Sequence, residues 1–222
     1  MKAGTARTGA VLFAWMVLVA TKLSAQVKST FSAQASLQTS TFSDPEDDAF
    51  CNVQYPAEYE RQILYALSYY PELNEVEIIF KKIPITTTLN CKPKISSLFF
   101  GKSKRVYIIG INNKKQFSGI LFSEIPPEGQ IGIIGHELAH IKDYQSRSIF
   151  GVMDRGIDYL HGRSKAKFER AIDTMTIQAG MGEYLHRWAH YAIYESNASE
   201  KYKRFKRKIY LAPEEIIGLV AE

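Results

Sequence analysis

His136, Glu137 and His140 stand in the stretch "IIGHELAHIKDY" (133–144) with the spacing H-E-x-x-H. On a helix, two histidines four residues apart project from one face. Their ring nitrogens can then share one zinc ion at about 2.1 Å each. Glu137 points about 100° away around the same helix, which places it beside the metal's water rather than on the metal. Zinc brings the pKa of such a water towards 7, and the Glu137 carboxylate can take its proton as general base. The expected chemistry is attack by that water on a polarised carbonyl. The competing reading is a core helix that carries two histidines, because two ligands alone do not make a metal site. Ile133, Ile134, Leu138, Ala139 and Ile141 surround the triad with apolar side chains, as a helix buried beside a cleft requires. Gly132 and Gly135 each cost a helix about 1 kcal/mol; Gly135 is expected to leave space beside the metal position.

These residues resemble the zincin metallopeptidases. The metzincin branch continues H-E-x-x-H-x-x-G-x-x-H, and here Asp143 and Ser146 stand where its glycine and third histidine belong, which excludes it. The gluzincin branch takes a glutamate from a later helix, commonly followed by an aspartate four residues on. "FERAID" (168–173) supplies Glu169 and Asp173 at that separation. The resemblance implies one Zn2+ per chain held by His136, His140 and Glu169. It implies that Asp173 binds the other ring nitrogen of a ligand histidine and fixes its tautomer. It further implies an α+β, zincin-like fold: a small antiparallel or mixed sheet packed on the active-site helix, with a C-terminal helical part. The implied activity is hydrolysis of peptide bonds in a peptide or protein substrate lying extended along an edge strand, for which residues 105–112 and 117–122 are the candidates. Lys142 departs from the usual apolar residue at its position.

Other readings stay open beside this one. His186 and His190, again four apart, can supply the third ligand of a His₃ site, although such histidines more often pack or bond locally. Tyr159, His161, Arg155 and Tyr184 are candidate donors to the oxyanion, and nothing in the sequence ranks them. A non-proteolytic zinc-binding envelope protein needs the ligands but has no use for Glu137, which speaks for the enzyme. Hydrolysis of an amide in a cell-wall peptide uses the same residues.

The elements that must position these side chains follow from periodicity. Tyr59, Ile63, Leu64 and Leu67 recur at helical spacing between Pro56 and Pro71, predicting a helix over 57–70. "EVEIIFKKI" (75–83) and "RVYIIGIN" (105–112) read as strands, "FSGILF" (117–122) as a short third, and 84–100 holds a weaker strand. Pro126, Pro127 and Glu128 suit a first helical turn, so the metal helix should run from there to about Arg147. Gly151, Gly156 and Gly162 make 148–163 loop-like. A helix is expected over 164–179, interrupted by Gly180 and Gly182 and resuming through "EYLHRWAHYAIY".

Lys2, Arg7, the apolar run 9–20 and the triplet Leu23-Ser24-Ala25 have the layout of a signal peptide (1–25), cleaved between Ala25 and Gln26. The protein is then expected to be secreted or periplasmic, with no stable transmembrane segment after cleavage. Residues 26–50, rich in Ser, Thr and Gln at their start, form a flexible lead-in, leaving 51–222 as one catalytic domain. The formal charge is +5; Lys2, Arg7 and Lys22 leave with the signal and no acid does, so about +2 remains, which excludes a nucleic-acid partner. The basic run "KYKRFKRK" (201–208) suits a solvated helix face or contact with an anionic envelope surface. Cys51 and Cys91, the two cysteines, can pair in an oxidising compartment, closing a loop of about 40 residues worth about 4 kcal/mol in the chain-entropy model. Two separate thiols are the alternative.

Overall fold

A computed structural model describes residues 50–158 and 162–221. The signal peptide, its cleavage site and the lead-in up to residue 49 lie outside them, as do Tyr159 and His161. Four strands form one mixed sheet: β1 (Val53–Gln54), β2 (Glu77–Ile83), β3 (Leu89–Pro93) and β4 (Val106–Asn112), in the order β1-β2-β4-β3. β1 runs parallel to β2 and β2 to β4, with Ile78 opposite Tyr107; β3 closes the sheet antiparallel to β4, with Cys91 opposite Ile109. In β2 the alternation of the sequence becomes the alternation of a one-sided strand, Ile78 and Phe80 buried against exposed Glu77 and Lys81. β4 is paired on both edges and almost wholly buried.

Two strand expectations change. The free edge near the predicted metal helix belongs to β3, from the weaker 84–100 stretch, and not to 105–112. Residues 117–122 form no strand, and only a 3-10 turn follows at Phe122–Glu124. Their backbone is engaged elsewhere: the Ile120 carbonyl accepts from the Thr88 hydroxyl and that of Ser118 from the Ser199 N–H.

α1 (Glu60–Leu67) buries Ile63, Ala66 and Leu67, and the first turn of the predicted helix is a separate 3-10 turn at Ala57–Tyr59. α2 (Pro127–Ser146) carries the H-E-x-x-H residues and is buried on every side from Gly129 to Ile141. A helix so enclosed cannot be amphipathic. Arg105, itself 4 % exposed, caps its far end by donating from Nη1 to the carbonyls of Tyr144 at 2.8 Å and Arg147 at 3.0 Å. The expected loop is instead mostly α3 (Ile149–Asp158). Its Val152 is buried, and Arg155 pairs with Asp143 of α2 while lying over the Phe168 ring, contacts that outweigh the cost of two glycines.

α4 (Gly162–Thr176) is followed by a π-helical turn, Ile177–Met181, in which Gly180 has a φ of 89°. That left-handed conformation favours glycine, and α5 (Gly182–His190) starts directly after it. A second π-helical turn, Tyr191–Glu195, continues that helix to its expected end. The basic run lies on α6 (Glu200–Ile209), and α7 (Pro213–Val220) closes the chain. α2 and α5 approach until backbone nearly meets backbone: a Cβ on Gly132 would fall on the Tyr184 carbonyl, and one on Gly135 on the Met181 sulfur. Gly135 therefore makes room for Met181, not for a metal, and its carbonyl accepts from the Tyr70 hydroxyl at 2.8 Å.

Cys51 and Cys91 are both free. Cys51 precedes β1 at one edge of the sheet and Cys91 lies on β3 at the other. Three strand spacings, roughly 14 Å, separate those edges, beyond the ~7 Å reach of a disulfide. Among the described residues, no helix is long and apolar enough to cross a membrane.

Candidate metal centre

α2 and α4 lie against each other, and their facing sides bring four of the predicted residues together. His136 Nε2 is 3.1 Å and His140 Nε2 3.4 Å from one oxygen of Glu169, Oε2. Ligand atoms around a tetrahedral zinc, with bonds of about 2.05 Å, stand about 3.3 Å apart. The residues present therefore fit a single cation: two imidazoles and a carboxylate, all buried, within 4.8 Å of one another at their ligand atoms. Among the described residues this is the one group of its kind.

Asp173, one helical turn beyond Glu169, reaches the far side of the first ring. Its Oδ1 is 2.8 Å from His136 Nδ1, and its Oδ2 accepts from the Leu211 N–H at 2.8 Å. Both carboxylates are nearly excluded from water, Glu169 at 1 % exposure and Asp173 at 2 %. Burial alone would depress the pKa of His136, but the bonds to Asp173 and Glu169 outweigh it and push the value up to about 10. Burial likewise works against ionising Glu169, yet the two histidines hold its carboxyl well below the usual range. Carboxylates that draw a proton so strongly onto an imidazole draw a cation into the same place. His140 Nδ1 is buried and has no hydrogen-bond partner among the described residues.

Glu137 lines the cleft beside these ligands without joining them. Burial raises its pKa, and the two histidines pull it partly back. β3 forms one wall of the cleft through Leu89, Asn90 and Cys91, and Tyr144 and Tyr210 complete it. Tyr144 stacks near His140 at 6.0 Å between ring centroids, and Tyr210 stands edge-on to His136 at 5.6 Å. The sequence reading did not single out Tyr210. It follows Glu169 by some forty residues with no motif around it, and only the return of α6 across α4 brings it to the cleft.

The rival ligands lie elsewhere. His186 and His190 line a separate hollow with Pro126, Glu128 and Glu195, and His190 Nδ1 is 2.8 Å from Glu195. Of the donor candidates, Arg155 is committed to Asp143 and Tyr184 hydrogen-bonds to Tyr65. No protein-family model, no curated protein and no solved structure matches this chain.

Proposed function

We propose that the protein is an exported, zinc-dependent peptidase with a zincin-like, gluzincin-type site. The observation that carries this reading is the convergence of His136 Nε2, His140 Nε2 and Glu169 Oε2, at 3.1 and 3.4 Å, beside a buried carboxylate that is not a ligand. A His₂Glu donor set suits zinc. A bound divalent ion supplies Lewis acidity, making a water acidic near neutrality and drawing charge onto a carbonyl oxygen.

The chain's own residues do the rest. Glu137 accepts the proton shed by the attacking water, holds it at its carboxylate, and delivers it to the departing amine nitrogen. Its raised pKa, a consequence of burial, brings it closer to the pH at which it must both take and give a proton. Asp173 holds His136 in one orientation and tautomer. The Tyr210 phenol, which makes no hydrogen bond among the described residues, donates to the carbonyl oxygen as negative charge builds there. The substrate pairs its main chain with the open edge of β3, so recognition along the backbone is largely independent of sequence.

The test is cleavage of quenched fluorescent peptides by the zinc-loaded protein, with and without 1,10-phenanthroline. Glu137→Gln should keep its zinc and lose about 10²–10⁴-fold in rate. Tyr210→Phe should lower kcat about 10²–10³-fold at unchanged zinc content. Stoichiometric zinc with no cleavage of any peptide would turn the reading towards a zinc-binding envelope protein that docks a partner.

A further inference from the structure

α6 carries a dense run of lysine and arginine, and most of it is solvated. Lys201, Arg204, Arg207 and Lys208 are exposed, whereas Lys206 is half-buried and turns into the cleft. Its Nζ lies 3.8 Å from the centroid of the Tyr210 ring, 5.0 Å from that of Trp188 and 6.0 Å from that of Tyr202. Its ammonium makes no ion pair and no side-chain hydrogen bond among the described residues, and its charge reaches Glu137 only through space, as the least of the influences on that carboxyl. Aromatic faces offset part of the cost of removing an ammonium from water, by about 0.5–2 kcal/mol, but they leave its three N–H donors without acceptors. An ammonium half-withdrawn from water with open donors is a receptor for an anion.

Its surroundings say where the anion sits. Lys206 lines a cavity of about 210 Å³ that also contains His136 and Glu137. The rest of the lining is largely apolar: Ile133, Leu185, Ala192 and Ile193 form a wall with Trp188, whose ring lies beside Lys206, and Thr86 to Thr88 lead in from the β3 side. Lys165, its ammonium 5.4 Å from the Phe205 ring, adds a second positive charge to the same cavity. Among the described residues, no acidic side chain lines the cavity other than Glu137 and Asp173, which already serve the proposed metal centre.

We propose that this cavity selects substrates carrying a carboxylate close to the cut bond, with Lys206 as the residue that binds it and the apolar wall taking the neighbouring side chain. The inference rests on the peptidase reading and narrows its substrate class. A free chain end and an acidic side chain both offer the required group. An apolar C-terminal residue is the ligand that fills the wall and meets the ammonium together, so peptides cut near a free C-terminus are the favoured class.

Binding tests this independently of turnover. Zinc-loaded Glu137→Gln protein is titrated in a calorimeter with three N-acetylated peptides: one ending in free leucine, the same peptide as its leucinamide, and a leucinamide with glutamate in place of the residue before it. The carboxylate adds one charge-assisted contact, so the free acid should bind about 10- to 100-fold tighter than the plain amide. In Lys206→Met that ratio should fall to near unity, and Lys206→Arg should restore most of it. A tighter glutamate amide, equally dependent on Lys206, would also support the carboxylate site and assign the group to a side chain. Equal binding of all three, no binding of any, or a preference that survives Lys206→Met would overturn the proposal. If Lys206 acts only through the charge of Glu137, it has nothing to act on in the Glu137→Gln protein, so Lys206→Met leaves the ratio standing, which counts against the proposal. Failure of the peptidase reading shows separately, as absence of cleavage by the wild-type protein.

Discussion

Asp173 speaks most directly for the metal-site reading over a pair of histidines in a core. A buried carboxylate that accepts from the Leu211 N–H and holds His136 Nδ1 at 2.8 Å orients a ligand that would otherwise rotate. Asp173→Ala leaves all three ligand atoms in place, so zinc should still bind, about 10- to 100-fold more weakly; competition with a chromogenic chelator measures it. A full loss of folding would instead mean that the Leu211 contact dominates, and Asp173→Asn, which keeps an acceptor for that N–H, separates the two. At this scale the sequence was most informative. His136, Glu137 and His140 announced themselves by spacing, and Glu169 with Asp173 followed from the family pattern they evoke. Lys206 and Tyr210 carried no such mark, because a lysine in a basic run and a lone tyrosine are ordinary until the fold turns them inward.

The elements were legible where period and length agreed. β2, β4, α1, α2 and α4 fall within a few residues of expectation: β2, α1 and α4 because their apolar side chains recur with a period, β4 by its unbroken apolar run, and α2 by the Pro126-Pro127-Glu128 start. β3 was faint because an edge strand of five residues buries little, and α3 was hidden by glycines whose cost is offset by contacts no local pattern displays. Gly135 was misread for a related reason: its neighbour is Met181, from a π-helical turn some forty-five residues away. The α2–α5 contact depends most sharply on Gly132. Gly132→Ala gains helix propensity of about 1 kcal/mol but drives a methyl into the Tyr184 carbonyl, and overpacking of that kind typically costs about 1–3 kcal/mol or more. The expected result is net destabilisation in urea unfolding, with loosened zinc binding because α2 carries both histidines. An unchanged or raised midpoint would show that the two helices can part without consequence.

For the whole molecule, the helices after α4 form the second wall of the cleft and carry a charge distribution that makes stability depend on pH. Burial, followed by the charges of His190 and Arg187, lowers the pKa of His186 to about 4, while Glu214 pulls weakly the other way. An unfolded histidine titrates near 6.5. Between pH 6.5 and 4 the unfolded chain therefore binds a proton that the folded protein refuses, and stability falls as pH falls. The contribution of neutral His186 is complete above about 6.5 and is lost on the way down to about 4. Melting temperatures of metal-free protein should drop across that window, and His186→Gln should flatten the slope. A variant as steep as the wild type would remove His186 as the cause.

The central claim is that His136, His140 and Glu169 hold one zinc ion and that the histidines of α5 do not. Zinc content by mass spectrometry after dialysis against a weak chelator addresses it directly. Wild type, His186→Ala and His190→Ala should each retain about one zinc per chain, while Glu169→Ala, lacking one of three protein ligands, should emerge nearly empty. A Glu169→Ala protein that stays loaded, with a His186 or His190 variant stripped of its metal, would contradict the site.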